Sequence, residues 1–383
     1  MNTLNYTLKE QEIQEIQKKY KEIKKEILKE FEKQKLLKRK RVLKSYSALL
    51  KAVFLYIIKE LSFQRISNRM ASSKYRICMS DNAWRKQINK AALVFFSVAI
   101  QYLDKKHRSQ SKKKLKTIFG FLEVCALDAT SIAVEGKSTE VFRLHTNYSL
   151  NKHIPYEVNI TDSHSAETVK HYHIERKTLY LADRAYGKTT QFSYIIDNNA
   201  DFIFRMSPHN VKLFSDQECT KKIDFKKIVR KSIHSVMCYF KKDAASIYKI
   251  RVIMAPIPDE KYEKTEKRTR RKAQKNQYKI SENTLELSRW LFLATTLPMK
   301  IKSKDILNTY RKRWQIELFF KRAKSLLHFH RLKRSSHKYM KSILHLWFAV
   351  AAFTSIIASD ISDSLHFKIP DFYLFDLVSS LFS

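Results

Sequence analysis

The chain has 383 residues, and 75 lysines and arginines against 37 acids give it a formal charge of +38. Such an excess calls for a polyanionic partner. A hydrophobic content of 44% and an aromatic content of 12% exclude a disordered basic arm and leave a folded chain of two or three domains with a sizeable core. With only three glycines, Gly120, Gly136 and Gly187, neither of the glycine-rich loops that cradle nucleotide phosphates can be written.

From Leu8 to Leu43, apolar Ile13, Ile16, Tyr20, Ile23 and Ile27 recur at alternating three- and four-residue steps among Lys and Glu, which predicts a long amphipathic helix. Its end carries Lys38, Arg39, Lys40 and Arg41, a run that either touches phosphate or is simply solvated. Helices are expected over Tyr46 to Leu61, Phe63 to Met70 and Ser80 to Tyr102. Ser80 is placed to cap the last of these, and Asp81 sits where the helix dipole favours a carboxylate. A short helix, a turn and a longer helix bearing Trp84, Arg85, Lys86 and Lys90 describe a helix-turn-helix reader or, equally, a plain helical bundle. Residues 1–104 are therefore expected to be an all-helical DNA-binding region, and 105–117, basic and without apolar periodicity, a linker.

The texture changes at residue 118, where an α/β catalytic domain is expected to run to 360. One apolar strand candidate, Ile118 to Leu127, ends at Asp128, and another, Arg176 to Ala182, ends at Asp183. Further strand-like runs, Phe202 to Met206, Val236 to Phe240, Tyr248 to Ala255 and Trp290 to Thr295, make residues 200–298 β-rich. Trp290 suits either a strand core or a base stack. The basic piece from Lys261 to Lys279 reads as a DNA clamp or a solvated loop. Between the two Asp positions, Arg143, His145, His153, Asp162 and His164 suggest either a second metal site or residues at strand edges and loops, since their spacing matches no tight ligand pattern.

Beyond Pro298 the pattern is helical until an aromatic tail, Phe372 to Phe382, within a C-terminal tail expected over 361–383. Ser342 to Ser359 approaches the length of a membrane span, but a helix buried on all sides has the same composition, and His345 inside it favours burial. No membrane partner is expected. Cys78, Cys125, Cys219 and Cys238 form no C-x-x-C pair or zinc spacing, and Met1 leads into a polar stretch without a secretory pattern. Both features point to the cytoplasm, at the nucleoid.

Three acids stand out by position. Asp128 and Asp183 each close an apolar run, which in an open sheet places them at strand ends, where ligands sit. Glu317 lies in Tyr310 to Lys324, a stretch of helical composition. At about 100° per residue, Tyr310, Arg313, Glu317 and Lys324 share one stripe of roughly 60°. Trp314, Leu318, Phe320 and Leu327 flank that stripe, so a largely buried helix carrying Glu, Arg and Lys describes a site for metal plus phosphate. The other reading is a surface helix in which Glu317 bridges Arg313 or Lys321.

The spacing of Tyr310, Arg313, Glu317 and Lys324 resembles the YREK signature of DDE transposases from bacterial insertion sequences of the insertion-sequence-four group. Leu181-Ala182-Asp183-Arg184-Ala185-Tyr186-Gly187 is similar to that group's second-aspartate motif, and Leu127-Asp128-Ala129-Thr130 resembles the first, with Ala129 where Gly or Ser is more usual. The resemblance runs from Phe119 to Ile357. It implies an RNase H-like core, a mixed sheet flanked by helices, with a β-rich insertion subdomain between Asp183 and Glu317.

The same resemblance implies two Mg2+ or Mn2+ ions. Asp128 would bridge them, and Asp183 and Glu317 would each hold one. Arg313 and Lys324 would grip phosphate, Tyr310 would position the strand, and Arg184 and Lys321 would add DNA contacts. The activity implied is cut-and-paste transposition: cleavage of double-stranded DNA at terminal inverted repeats and joining to target DNA, by a homodimer. The alternatives are a nuclease of the same fold, a catalytically decayed transposase or other DNA-binding protein, and an RNA-binding protein.

Overall fold

The computed structural model describes residues 10–37, 42–57, 59–110, 118–121, 123–134, 137–229, 232–243, 245–277, 279–326, 332 and 335–365. Four helices come first, α1 (Glu10–Lys33), α2 (Tyr46–Ile57), α3 (Phe63–Ala71) and α4 (Asp81–Gln110). The sheet begins with β1 (Val124–Val134), β2 (Lys137–Ser149), β3 (Ile154–Asp162) and β4 (Leu179–Ala182). It continues through α5 (Thr189–Asp197), β5 (Asp201–Arg205), the one-turn α6 (Phe225–Ile228), β6 (His234–Lys241) and β7 (Ile247–Pro256). After α7 (Asp259–Lys275) and α8 (Glu282–Ser288) come β8 (Trp290–Thr295) and three last helices, α9 (Ser303–Arg311), α10 (Trp314–Leu326) and α11 (His337–Leu365).

All eight strands join one mixed sheet in the order β3-β2-β1-β4-β5-β8-β7-β6. β1, β4 and β5 are parallel neighbours, and every other pairing is antiparallel. The β-rich segment expected as an insertion subdomain is present as β6, β7 and β8, but it extends the central sheet through the β5–β8 edge. β2 and β3 are strands for which the sequence supplied only scattered His and Arg positions.

Side chains alternate across a pleated strand, so each strand feeds two cores. One face, with Val124, Ala126, Leu179, Leu181, Ile203 and Leu293, packs beneath α1, α2, α4, α9, α10 and α11. Leu127, Tyr180, Ala182, Phe202, Phe204 and Phe292 point the other way, to α5 and α6. The N-terminal helices therefore share a continuous core with the sheet. Trp84, expected on a reading face, is fully buried in it.

Several boundaries move for physical reasons. Ile118 and Phe121 bridge across a tight turn at Phe119 and Gly120, both at positive φ, so the first strand starts only at Val124 and runs through Asp128 to Val134. Lys105 to Gln110, expected in the linker, are the last turns of α4. The basic piece after Lys261 is α7, seated by buried Tyr262 under the Arg289 guanidinium, 4.4 Å from the ring centre. Lys38 to Arg41 and the aromatic tail Phe372 to Phe382 lie outside the described residues.

The stretch of membrane-span length is α11. It is 78% buried over His337–Ile356, packed on α4, α1 and β3. His345 tilts against Phe96 with centroids 4.5 Å apart, and burial pushes its imidazole down to about 4, the neutral form suited to a core.

At the start of β1, Lys152 Nζ lies 2.8 Å from Glu123 Oε2, and Ser149 Oγ donates to the other carboxylate oxygen. Both ion-pair partners are buried. Lys152→Ala is expected to lower stability by about 3–5 kcal/mol in chemical denaturation, because it strands a buried carboxylate, whereas the double variant Glu123→Gln/Lys152→Met should lose less. A single variant as stable as wild type would refute this role.

Candidate active site

The site is built by strand register. Leu127 of β1 aligns with Ala182 of β4, and Ala182 with Phe204 of β5. These three belong to the core face opposite α10. The next residue on each strand must turn to the α10 side, and those residues are Asp128, Asp183 and Arg205. Three adjacent parallel strands thus present two acids and an arginine in one row at their C-terminal ends, the rim where ligands collect in open α/β sheets. Asp128 is mid-strand in β1, but it is the first residue beyond the parallel pairing, which gives it the strand-end role expected of it.

Each acid of the row is held. Asp128 Oδ1 accepts from the Ala129 N–H at 2.9 Å, and the buried Tyr172 hydroxyl donates to the Asp128 carbonyl at 3.0 Å. Asp183 Oδ1 accepts from Ala185 N at 2.8 Å and so caps a 3-10 turn, Arg184–Tyr186. Gly187 ends that turn. A Cβ there would lie 2.3 Å from the Arg205 carbonyl oxygen and 2.8 Å from Met206 Cα, so the turn packs backbone to backbone on the end of β5.

Across the row lies α10, seated through Ile316, Phe319, Phe320 and Ala323. The single helix expected from Tyr310 to Lys324 is broken: α9 ends at Arg311, and hydrogen bonds of 3.0 to 3.2 Å from Arg313 N to Tyr310 O, Gln315 N to Lys312 O and Ile316 N to Arg313 O form a tighter joint before α10. The start of α9 is fixed by Arg251 of β7, 2% exposed, which donates to the carbonyls of Pro298 (2.9 Å) and Ile301 (2.7 Å) and to Ser235 and Ser303. The joint turns Arg313 inward. Its Nη1 is 3.4 Å from Asp128 Oδ2, its Nη2 bonds Glu317 Oε1, and its guanidinium lies 6.0 Å from the Tyr310 ring centre. The Arg313–Glu317 bridge of the surface-helix reading therefore exists, but with only 14% of the Arg313 side chain exposed and Asp128 as a second partner.

Electrostatically the site carries more negative charge than Arg313 offsets. Burial pushes the Asp128 carboxyl up to about 7, with Asp183 and Glu317 adding to the rise and Arg313 and the Ala129 N–H opposing it. Carboxylate oxygens are the donors that hard divalent cations prefer, the kind of ion the resemblance implies. Among the described residues no three His, Cys, Asp or Glu side chains already form a closed ligand cluster; the Arg313 guanidinium lies between Asp128 and Glu317.

The other expected residues are distributed around this centre. Lys324 is two turns beyond Glu317 on the same side of α10, half-buried, with its pKa lowered by burial. Lys321 is exposed. Arg184 is exposed and lines an open cavity of about 520 Å³ with Asp183, Arg143, Lys188, Glu167 and Asn210. Trp314, expected on a buried flank, is 56% exposed at the start of α10, whereas Phe320 is buried. Leu327 lies outside the described residues. Trp290 packs against the second core.

His145 is on the sheet face opposite the acids, since it pairs with Ala129. Its ring lies 4.1 Å from that of His171, and burial, reinforced by His171 and Arg143, pushes it down to about 3. Asp162 pairs with His337 at 2.9 Å and Arg143 donates to Ser165 O at 2.7 Å, while His164 is exposed. Arg143 and His145 meet at Ser165 and His171, but among the described residues no three His, Cys, Asp or Glu side chains form a group that could hold a second metal.

Two members of the site went unread in the sequence. Arg205 ends the observed strand, but the apolar run read from the sequence continues to Met206, so the strand-end rule passed over it. Glu167, its carboxyl raised by burial and by Asp183, lies in a loop and carries no such signal.

The family described as "Transposase DDE domain" matches residues 119–354. The transposase for insertion sequence element IS421 of Escherichia coli is 24% identical over 324 residues, 80% of this chain and 83% of the relative. The InsL protein of insertion sequence element IS186A from Escherichia coli strain K12 is 25% identical over 282 residues, 69% of this chain and 72% of that protein. Among solved structures, the piggyBac transposase synaptic complex with hairpin DNA aligns with a TM-score of 0.44 and 10% identity, covering 94% of this chain and 78% of that one.

Gly187→Ala should disturb the site without touching a charged group, because the turn holding Asp183 must move off β5. The expected outcome is a lower melting temperature together with a loss of divalent-cation binding measured by calorimetry; unchanged values for both would overturn the backbone-contact argument.

Proposed function

The chain belongs to the transposase DDE-domain family of insertion sequences, and on that premise we propose that it cuts its element's DNA at the terminal inverted repeats and joins the ends to target DNA by cut-and-paste. The observation that carries this reading is the row of Asp128, Asp183 and Arg205 with Glu317 and Arg313 closing over it. The finer identity, an insertion-sequence-four member with an RNase H-like core and a YREK signature in Tyr310, Arg313, Glu317 and Lys324, belongs to the same proposal. It is supported by the mixed sheet flanked by helices and by the gathering of Tyr310, Arg313 and Glu317 at one joint.

Asp128, Asp183 and Glu317 would hold two Mg2+ or Mn2+ ions. When bound, such ions stabilise the attacking and leaving oxygens of an in-line displacement at phosphorus. The chain's own groups do the rest. Arg313 neutralises Asp128 and Glu317, and its planar fork can turn to a phosphate of the strand being cut. Arg205, on the next strand, supplies a second fixed cation beside Asp183. Tyr310 braces the Arg313 guanidinium, and exposed Trp314 offers an aromatic face to a base. Arg143, Arg184 and Lys188 line the cavity beside Asp183, where a strand backbone would run, with Lys321 and Lys324 further along α10. Two copies of the chain acting on paired element ends, at the nucleoid, complete the reading.

Asp128→Asn and Glu317→Gln should each reduce Mg2+-dependent cleavage of duplexes carrying the element ends by more than about 100-fold, beyond the 10–100-fold typical of outer metal partners, with DNA affinity nearly unchanged. Wild-type protein that binds these duplexes but never cuts them would instead establish a DNA-binding protein without catalysis, and cut DNA that never joins a target would establish a nuclease.

A pH dependence also follows. The Asp128 proton is held more tightly in the folded chain, about 7 against the ordinary 3.8, so cation-free protein should lose stability as the pH rises across that window. Added Mg2+ should raise the melting temperature more at pH 8 than at pH 5, and Asp128→Asn should abolish the difference in a thermal-shift series.

A further inference from the structure

The helix-turn-helix pattern in the sequence pointed to the longer helix, α4, as the reader of DNA, and the structure assigns the opposite roles. α4 is a strut of the core: Trp84, Ile88, Ala91 and Ala92 are all fully buried, while Arg85, exposed like Lys86 and Lys90, lies over the Tyr339 ring at 5.0 Å. α2 is buried along most of its length. α3 is different. Ile66 and Met70, both fully buried, anchor it together with Phe63, which stacks on Tyr56 with centroids 5.0 Å apart, and its outer side exposes Gln64, Arg65, Asn68 and Arg69.

The chemistry of that face is selective. Arginine reads guanine and Asn or Gln reads adenine through paired hydrogen bonds in the major groove, and these are the residue types on the outer side of α3. The helix is nine residues long, about 13 Å, comparable with the groove's width of about 12 Å. Its position is rigid: Ser62 caps it by accepting from Arg65 N, and Ser67 Oγ donates to the Met79 carbonyl of the following loop. From Glu60 to Lys90 the chain carries seven basic residues against two acids, with Lys74 and Arg76 exposed beside α3. That balance suits a phosphate backbone on either side of an inserted helix.

We propose that α3 enters the major groove of B-form duplex DNA at the element ends and that Gln64, Arg65, Asn68 and Arg69 read base edges there, with Lys74 and Arg76 on phosphates. This rests on the transposase reading and specifies which surface recognises the ends.

The test is selection of bound duplexes from a randomised pool by the purified full-length chain. Wild-type protein should enrich a defined motif. Arg65→Ala and Asn68→Ala should each relax the preference at one or two base pairs by about 10-fold or more, while salt-dependent binding to arbitrary duplex persists. Arg65→Lys should weaken the same base pair, since an ammonium lacks the rigid planar fork that matches guanine's two acceptors. Arg85→Ala/Lys86→Ala on α4 should leave the motif intact. All four α3 residues are exposed, and an unchanged melting temperature for each variant guards against misfolding.

The assignment is overturned if the α3 variants enrich the wild-type motif, if only the α4 variant changes it, or if wild type enriches none. Failure here with intact Mg2+-dependent cleavage would remove α3 as the reader and leave the transposase reading standing; failure of wild type to bind any duplex would remove both.

Discussion

Parallel pairing of β1, β4 and β5 in one register is the constraint on which the site depends. Because Leu127, Ala182 and Phe204 lie abreast and face the second core, the pleat forces Asp128, Asp183 and Arg205 to emerge abreast on the other face. A slip of one residue in any of these strands would send its functional side chain into an apolar layer, so burial of the neighbouring side chains and placement of the charges are one and the same requirement. Gly187 enforces the register locally, since only a residue without a side chain lets the Asp183 turn rest on the β5 backbone.

The second half of the site is brought by the helical layer. Arg251, buried and held by four hydrogen bonds, fixes the entry to α9, and the joint between α9 and α10 swings Arg313 beneath Tyr310 toward Asp128 and Glu317. Burial is the main reason the Asp128 carboxyl is raised, with the Asp183 and Glu317 carboxylates adding to it and the Arg313 guanidinium opposing it. An arrangement under such electrostatic stress is suited to recruiting further cations, whether divalent ions at the acids or basic side chains gathered around phosphate. Exposed basic side chains stand both at the cavity, in Arg184 and Lys188, and on α3, in Arg65 and Arg69.

Much of this was legible from local pattern. Asp128 and Asp183 were found as the ends of apolar runs, Glu317 and Arg313 as members of one helical stripe, and α1 through α4 as helices, because each of those signals is written in a few adjacent residues. The apolar segment at His345 was ambiguous between membrane and core for a physical reason: a helix surrounded by protein and one surrounded by lipid expose the same kind of surface. β2 escaped because buried His145, Thr146, Asn147 and Ser149 interrupt the apolar alternation that marks a strand. The break before α10 escaped because its residues are good helix formers, and the turn there is imposed by the packing of two helices rather than by a breaker.

What the sequence by itself determined is the chemical inventory and its order: the carboxylates, the four-residue stripe, the basic excess and the scarcity of glycine, all of which are properties of composition and short spacing. The tertiary structure alone decided which residues become neighbours. It placed Arg205 beside Asp183, turned Arg313 inward, exposed Trp314, joined β6 to β8 to the central sheet and buried Trp84 while leaving α3 open. The physical reason is that local propensity acts over a turn or a strand, whereas register between distant strands and the choice of which helical face meets the core are settled only when the whole apolar surface is removed from water at once.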